Sequence, residues 1–216
     1  MNDGPDFGHS HAQQYAHVSH APVSEPEAAT HAHDHGHQHA HSSDPACAMA
    51  HGDIPGDGER RTLVAVFASP VAQHLLHFGR DMGYHTILLD PRGLSAAEAQ
   101  QWPDAHHVLT VVAPEMVDDT ADVVATDHDR PELGDVLREV LALDQPVRWI
   151  GVMGSPRHTA PHIAALRELG VDDAVIARVH RPIGLNIGSR TPPEIAISTL
   201  AGLIADRRGR PGGTTF

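Results

Sequence analysis

Thr62-Leu-Val-Ala-Val-Phe67 is an unbroken apolar run, and Ser69-Pro70 follows it almost at once. A continuous apolar run of this length is typical of a strand that is buried on both faces of a parallel sheet. Serine is a common helix N-cap and proline suits the first helical position, so a helix is predicted immediately afterwards. Its apolar residues recur at helical spacing over 71–82, and Gly83 is predicted to end it.

The same alternation continues to the end of the chain. Further strands are predicted over 84–90, 107–112, 121–126 and 147–153. Further helices are predicted over 95–101, 131–143, 155–169, 172–178 and 192–208. Short apolar strands that alternate with helices indicate a three-layer, Rossmann-like α/β fold with a mainly parallel sheet. Ligands bind such sheets at the carboxyl ends of the strands.

The first 58 residues differ in composition from the rest of the chain. They are polar, rich in His, Pro and Ala, and lack apolar periodicity, so we predict a disordered tail over 1–58 and a folded domain over 59–210. Alternating histidines in this tail are candidate ligands for zinc, nickel or copper. They are His31, His33, His35, His37, His39 and His41. The alternative is a low-complexity segment that binds metal only in the test tube.

Composition excludes several classes of partner. The net charge is −13, so a nucleic-acid backbone would be repelled, and the absence of lysine excludes the lysine of a phosphate-binding P-loop. No apolar stretch is long enough to span a membrane, and no secretory signal is visible. The single cysteine, Cys47, excludes an intrachain disulfide and fits a reducing compartment. We therefore expect a cytoplasmic protein with no nucleic-acid or membrane partner.

Two glycine-bearing motifs are candidates for ligand binding. The first, Gly151-Val-Met-Gly-Ser-Pro-Arg157, follows a predicted buried strand. Ser155 is predicted to cap the next helix and Pro156 to begin it, so that free N–H groups near Arg157 would form an anion site. Its candidate residues are Gly151, Gly154, Ser155 and Arg157. The alternative is an ordinary strand-to-helix turn, since glycine turns are common.

The second motif is His180-Arg-Pro-Ile-Gly-Leu-Asn-Ile-Gly-Ser-Arg-Thr-Pro-Pro-Glu194, a long loop before the last helix. Thr191 and Glu194 are accounted for as a capping box, with Pro192 as the first helical residue. The remaining candidates for binding a ligand are His180, Gly184, Asn186, Gly188, Ser189 and Arg190. The alternative is that Asn186 and Gly188 only satisfy turn geometry.

Together the two motifs resemble the C-terminal, Rossmann-like domain of the XdhC family. The resemblance is strongest over 149–208 and extends more weakly to about Arg60, including Thr126-Asp-His-Asp129. It implies an accessory protein rather than an enzyme: one that binds molybdenum cofactor and delivers it to a molybdenum hydroxylase apoenzyme of the xanthine dehydrogenase type. A homodimer is left open.

The sequence also departs from the family pattern. Phe67, Ser69 and Ala72 occupy the three positions of the usual Gly-x-Gly-x-x-Gly, which argues against NAD(P) binding. Asp90, where a ribose-binding acid belongs, is interpreted as a turn residue before Pro91. Asn186 stands where the family has an acidic residue and Ser189 where it has a smaller one. The family's N-terminal domain has no counterpart in this sequence, and Cys47 matches no motif.

Two further hypotheses come from other functional classes. One is an oxidoreductase that uses NAD(P) through a degenerate Rossmann loop, and the other is a metal-handling protein that works through its histidine-rich tail. A scaffold that contacts its partner without binding cofactor also remains open. Four histidines on the predicted helices of the domain are interpreted as surface residues without ligands. These are His74, His77, His158 and His162.

Overall fold

The computed structural model describes residues 48–49, 58–155 and 159–213. The six tail histidines, Cys47, Pro156, Arg157 and His158 lie outside the described residues. Contacts within the chain separate residues 1–55 from residues 56–216. The second unit contains all the helices and strands named below.

Five strands and six helices make up this unit in the part of the chain that the structure describes. The strands are β1 (Thr62–Val66), β2 (His85–Leu89), β3 (His107–Leu109), β4 (Ala121–Ala125) and β5 (Trp149–Val152). The helices are α1 (Pro70–Asp81), α2 (Ala96–Ala99), α3 (Leu133–Leu141), α4 (Pro161–Glu168), α5 (Asp173–Ile176) and α6 (Pro192–Arg207).

The strands form one parallel sheet in the order β3-β2-β1-β4-β5. The predicted Rossmann-like class is therefore confirmed. Strand β1 lies at the centre, where Val64 is in register with Ile87 of β2 on one side and Val123 of β4 on the other. The chain leaves β1 toward β2 and later returns to place β4 on the opposite side. The carboxyl ends of β1 and β4 thus mark the switch point at which open α/β sheets bind ligands.

The apolar run that predicts β1 is explained by its burial on both faces. Successive side chains of a strand point to opposite faces of the sheet. Val64 and Val66 pack in the core beneath α3, whereas Leu63 and Ala65 pack in the core beneath α1 and α6. All four side chains are fully buried. The two cores give the three layers that the sequence predicts.

The predicted helix over 155–169 is wrong at its beginning. Helix α4 begins at Pro161 with Ala160 as its N-cap, so Ser155 does not cap it. The guanidinium of Arg181 donates to the carbonyl oxygens of Ser155 and Thr159, at 3.3 and 3.0 Å. These bonds hold both residues outside the helix, and Pro161 supplies the proline at the first helical position instead.

A buried cluster at the amino edge of the sheet joins the last helix to β4. The Asp122 carboxylate is fully buried and accepts hydrogen bonds from Arg148 and Arg207, the latter at 3.1 Å. Arg148 also pairs with Asp206 at 2.7 Å. No helix in the described part of the chain is long and apolar enough to cross a membrane.

Candidate functional site

A cleft of about 720 Å³ opens at the carboxyl edge of the sheet, beside the switch point. Its walls come from the ends of β4 and β5, the loop over 182–189 and the first turns of α1 and α6. Its polar lining consists of Thr126, His128, Ser155, Asn186, Ser189, Ser198 and Thr199. Its apolar lining consists of Val71, Met153, Pro182, Ile183, Leu185, Ile187 and Ile195. Three glycines, Gly154, Gly184 and Gly188, complete it.

Residues from both predicted motifs meet in this cleft. Those that line it are Gly154, Ser155, Gly184, Asn186, Gly188 and Ser189. Gly151, His180 and Arg190 are not among the lining residues, and Arg157 lies outside the described residues. The structure thus brings the two motifs together, since the second motif begins at His180, which forms a bridge to Gly151 of β5. Their role in binding stays a prediction.

Gly184 allows the second motif to lie directly on α6. Its φ is +79°, and a Cβ there would lie 2.6 Å from Ser198 Oγ and 3.0 Å from the Ser198 backbone. Two hydrogen bonds fix this contact: Ser198 Oγ donates to the Leu185 carbonyl at 2.6 Å, and the Leu185 N–H donates to the Ser198 carbonyl at 3.0 Å. The far wall of the cleft is therefore held by backbone contacts with the helix.

Gly151 and His180 lie behind the cleft and join its two motifs. The His180 N–H donates to the Ile150 carbonyl at 2.9 Å, and the Val152 N–H donates to the His180 carbonyl at 3.0 Å. The His180 ring stacks on Trp149, with centroids 5.1 Å apart. A Cβ at Gly151 would lie 2.3 Å from the Trp149 ring and 2.7 Å from Ile183, so this position must be glycine.

The start of α6 confirms the predicted helix beginning. Thr191 is the N-cap and Pro192 the first helical residue. The Glu194 carboxylate accepts the N–H groups of Arg190 and Thr191, at 2.8 and 3.0 Å. Glu194 therefore satisfies the backbone of the helix end next to the cleft.

Two polar residues that follow β4, Thr126 and His128, line the cleft but were not among the predicted site residues. The Thr126 hydroxyl donates to the carbonyl oxygens of Val66 and Phe67, at 2.9 and 3.0 Å, and accepts from Ser69 Oγ at 2.9 Å. It thereby ties the end of β4 to the end of β1. The sequence signal was a polar run directly after a buried strand at the switch point.

On the other side of the switch point, side chains of the protein itself occupy the positions of nucleotide contacts, and a smaller cavity of about 190 Å³ lies at the ends of β2 and β3. Phe67 occupies the first glycine position, and its φ is +74°, a conformation that favours glycine. Its ring is fully buried in the core beneath α3, and the Arg130 guanidinium lies 5.1 Å from the ring centroid. A backbone loop that would cradle a pyrophosphate is thus replaced by a packed aromatic ring.

The donors that a nucleotide would use are also taken. Ser69 Oγ accepts the Ala72 N–H at 3.0 Å, and Pro70 has no N–H. The Asp90 carboxylate accepts the Ala68 N–H at 2.9 Å and pairs with Arg92 at 3.0 Å. The carboxylate oxygens of Asp90 are therefore already bonded within the chain.

Asp90 does more than the turn residue that was predicted. Its carbonyl oxygen accepts the Gly93 N–H at 3.0 Å and its Oδ1 accepts the Arg92 N–H at 3.1 Å, as a turn residue does. Its side chain is also fully buried. Burial acts to raise the pKa of this carboxyl, but the bonds from Arg92 and the Ala68 N–H outweigh it and lower the pKa below its usual range. The group is a fixed anion in the folded chain.

The prediction that His162 is a surface residue is wrong. It lies in the first turn of α4, its side chain is buried, and its Nδ1 has no hydrogen-bond partner among the described residues. Burial, with the nearby Arg181 charge, lowers the pKa of this imidazole. His77 is half-exposed and bonds to Asp104 at 3.0 Å, while His74 stacks on Phe78. Within the described ranges no three His, Cys, Asp or Glu side chains are grouped to hold a metal.

Comparison with known proteins matches residues 63–203 to the XdhC Rossmann domain. The uncharacterized protein YqeB of Escherichia coli K12 is 41% identical over 91 residues, which cover 42% of this chain and 16% of YqeB. A crystal structure described as a xanthine dehydrogenase from Bacillus halodurans superposes with a TM-score of 0.53 at 25% identity, over 72% of this chain and 45% of that one.

A second solved structure, the Lmo0794 protein from Listeria monocytogenes, gives a TM-score of 0.42 at 13% identity, over 70% of this chain and 94% of that one. The chain spans about a sixth of the length of YqeB and less than half of the Bacillus protein. More than half of each of these two relatives therefore has no counterpart in the aligned part of this chain.

Proposed function

This chain belongs to the XdhC family, and we propose that it is an accessory protein that binds molybdenum cofactor in the cleft and passes it to a molybdenum hydroxylase apoenzyme. The observation that carries the proposal is the meeting of both glycine-bearing motifs in one cleft at the switch point of the sheet. Such a position is where Rossmann-like sheets bind their ligands.

The cleft suits a flat, polar heterocycle that carries a phosphate. Its volume of about 720 Å³ falls in the range of small-molecule sites, roughly 300–1,000 Å³. Met153, Ile183 and Ile195 offer apolar surface for the faces of a pterin. Asn186 and Ser189 offer donors and acceptors for its edge.

The charge of the lining is consistent with an anionic ligand. No acidic side chain occurs among the described residues that line the cleft. The backbone at Gly188 can approach a phosphate closely, because a Cβ at this position would meet nothing within 4 Å. The lining residues would hold the cofactor as cargo, and the molybdenum centre supplies its hydroxylation chemistry in the client enzyme.

The closed side of the sheet edge argues against the oxidoreductase hypothesis. A hydride-transferring enzyme of this fold needs its dinucleotide at the Gly-rich turn after β1. Here Phe67, Ser69 and the Asp90–Arg92 pair occupy the positions of those contacts. A binding role in the open cleft is the simpler account of the two motifs.

The client is proposed from the relatives. The Bacillus protein that shares the fold is described as a xanthine dehydrogenase, which suggests a molybdenum hydroxylase of that class as the partner. This chain spans less than half of that relative, so both the activity and the partner enzyme are part of the proposal.

Cofactor retention tests the proposal. Purified protein is incubated with freshly released molybdenum cofactor under anoxic conditions and desalted, and the bound pterin is measured by fluorescence after oxidation. We expect near-stoichiometric retention by the wild type and a loss of about tenfold in affinity for a double variant, Asn186→Ala with Ser189→Ala, since each removes hydrogen bonds to the ligand edge.

A matched control is Gln101→Ala, which removes an exposed amide on the connection between β2 and β3. It should retain cofactor as the wild type does. Retention by the wild type no better than by an unrelated protein would contradict the proposed function.

A further inference from the structure

We propose that Arg181 is a positioning residue for the cleft: it fixes the wall formed by Gly154 and Ser155 from outside the cavity, without touching the ligand. The inference rests on the proposed function and adds a residue that neither predicted motif required. Gly154 and Ser155 line the cleft, whereas Arg181 is not among the lining residues.

The guanidinium of Arg181 bridges the two flanks of one loop. Nη2 donates to the Ser155 carbonyl at 3.3 Å, and Nη1 donates to the Thr159 carbonyl at 3.0 Å. A planar guanidinium presents its donors in a rigid fork, so it can fix two carbonyls relative to each other in a way that a single ammonium cannot. The position of Ser155 is thereby coupled to the start of α4.

Gly154 gives the guanidinium room to lie against the chain. A Cβ at this position would lie 2.4 Å from Nη2 and 2.7 Å from Nε of Arg181. The φ of Gly154 is +152°, which side-chain-bearing residues rarely adopt. The glycine of the first motif is therefore matched to the arginine of the second, and this contact links the two motifs beside the cleft.

The link sets the shape of the cleft. On its other flank, the loop that begins at Arg181 continues into Ile183 and Gly184, which line the opposite wall. Gly184 is held in turn by Ser198 of α6. Arg181 is thus the point at which the wall after β5 and the wall on α6 are tied to each other.

The first experiment compares Arg181→Ala with Arg178→Ala. Arg178 lies three residues earlier in the chain, and its side chain forms no hydrogen bond or ion pair among the described residues, so it controls for loss of a positive charge. We expect Arg181→Ala to retain molybdenum cofactor about tenfold more weakly than the wild type, and Arg178→Ala to match the wild type. Arg181→Lys should recover only part of the loss, since it keeps the charge but not the fork.

A double-mutant cycle with Gly154→Ala gives a readout that general destabilisation would not produce. In the wild-type background the added methyl displaces the guanidinium, so Gly154→Ala should weaken retention strongly. In the Arg181→Ala background there is no guanidinium to displace, so the same substitution should cost clearly less. Additive effects of the two substitutions would overturn the proposed contact.

Hydrogen exchange supplies a measurement that needs no ligand. Amides of Gly154 and Ser155 should exchange faster in Arg181→Ala than in Arg178→Ala. Unchanged exchange would overturn the positioning role, as would unchanged cofactor retention by Arg181→Ala when the wild type binds. If the wild type itself retains no cofactor, the proposed function fails, and that result is distinct from either of these.

Discussion

The two halves of the sheet's carboxyl edge start from similar sequence signals and end in opposite states. After β1 and β2, Phe67 and the pair of buried Asp90 with half-exposed Arg92 occupy the positions of nucleotide contacts, and the cavity beside them is only about 190 Å³. After β4 and β5, glycines are retained and a cleft of about 720 Å³ is open. The half after β1 and β2 is the closed half, and the half after β4 and β5 is the open half.

The difference shows how a Rossmann-like sheet can fill one half of its carboxyl edge with its own side chains and leave a large cleft at the other half. In the closed half each side chain replaces a contact that a ligand would make, so the strands and turns stay intact. In the open half Gly151, Gly154 and Gly184 each sit where a Cβ would collide with neighbouring groups. Glycine is needed there for packing, and the same close packing brings the two motifs to one cleft.

The largest effect is expected at Phe67, the centre of the closed half. Phe67→Ala should destabilise the protein by about 3–4 kcal/mol, because it empties a fully buried site. Phe67→Gly should destabilise the protein by about 1 kcal/mol less than Phe67→Ala does, since glycine relieves the strain of the positive φ that alanine retains. Urea unfolding of the two variants measures this order. If Phe67→Gly lowers the free energy of unfolding more than Phe67→Ala does, the positive φ at residue 67 is not a source of strain.

The next effect is expected at Asp90. Asp90→Ala should cost about 2–3 kcal/mol, because it removes the acceptor of the Ala68 N–H and the partner of Arg92. In the open half, Ser189→Ala should change stability by less than about 0.5 kcal/mol, since its role is proposed to be ligand contact. Equal costs at the two positions, measured by urea unfolding, would remove the distinction between a structural and a ligand-binding half.

A smaller, pH-dependent effect is expected at His162. Its pKa is lowered by burial and by Arg181, the charged side chain that acts on it among the described residues, so the unfolded chain binds the proton more readily. His162 makes its full contribution to folding stability when the pH is above 6.5, the ordinary pKa of histidine. This contribution falls as the pH drops below that value.

Unfolding at about pH 7.5 and about pH 5.5 measures the effect of His162. The wild type should lose more stability than His162→Gln over this interval. If the wild type and His162→Gln have the same pH dependence, the imidazole takes up its proton as readily in the folded chain as in the unfolded chain, which would contradict the effect of burial.

Much of this fold could be predicted because its signals are local. The run from Thr62 is buried on both faces, Ser69 and Pro70 begin α1, and Thr191 with Glu194 begins α6. The predicted start of α4 failed, because Ser155-Pro156 has the same local signal as a helix start. Arg181, distant in sequence, binds the Ser155 carbonyl, and no local pattern reveals such a contact.

The site was predicted in part for the same reason. Glycine turns at Gly154 and Gly184 indicate close approach, and the bridge between Gly151 and His180 brings the two motifs together. Thr126 and His128 were missed as cleft residues, because their place depends on which strands neighbour each other at the switch point. The burial of His162 was missed because the helical spacing of His158 and His162 does not show which face of α4 is covered.

The most direct test of the contrast maps where each ligand protects the backbone. Hydrogen exchange is followed on the full-length protein with molybdenum cofactor, with NADH at about 1 mM, and without ligand. We expect the cofactor to protect residues 153–155 and 182–189 and to leave 67–72 and 90–93 unchanged, while NADH protects neither half. Protection of 67–72 by NADH, or no protection of 182–189 by the cofactor, would contradict the account.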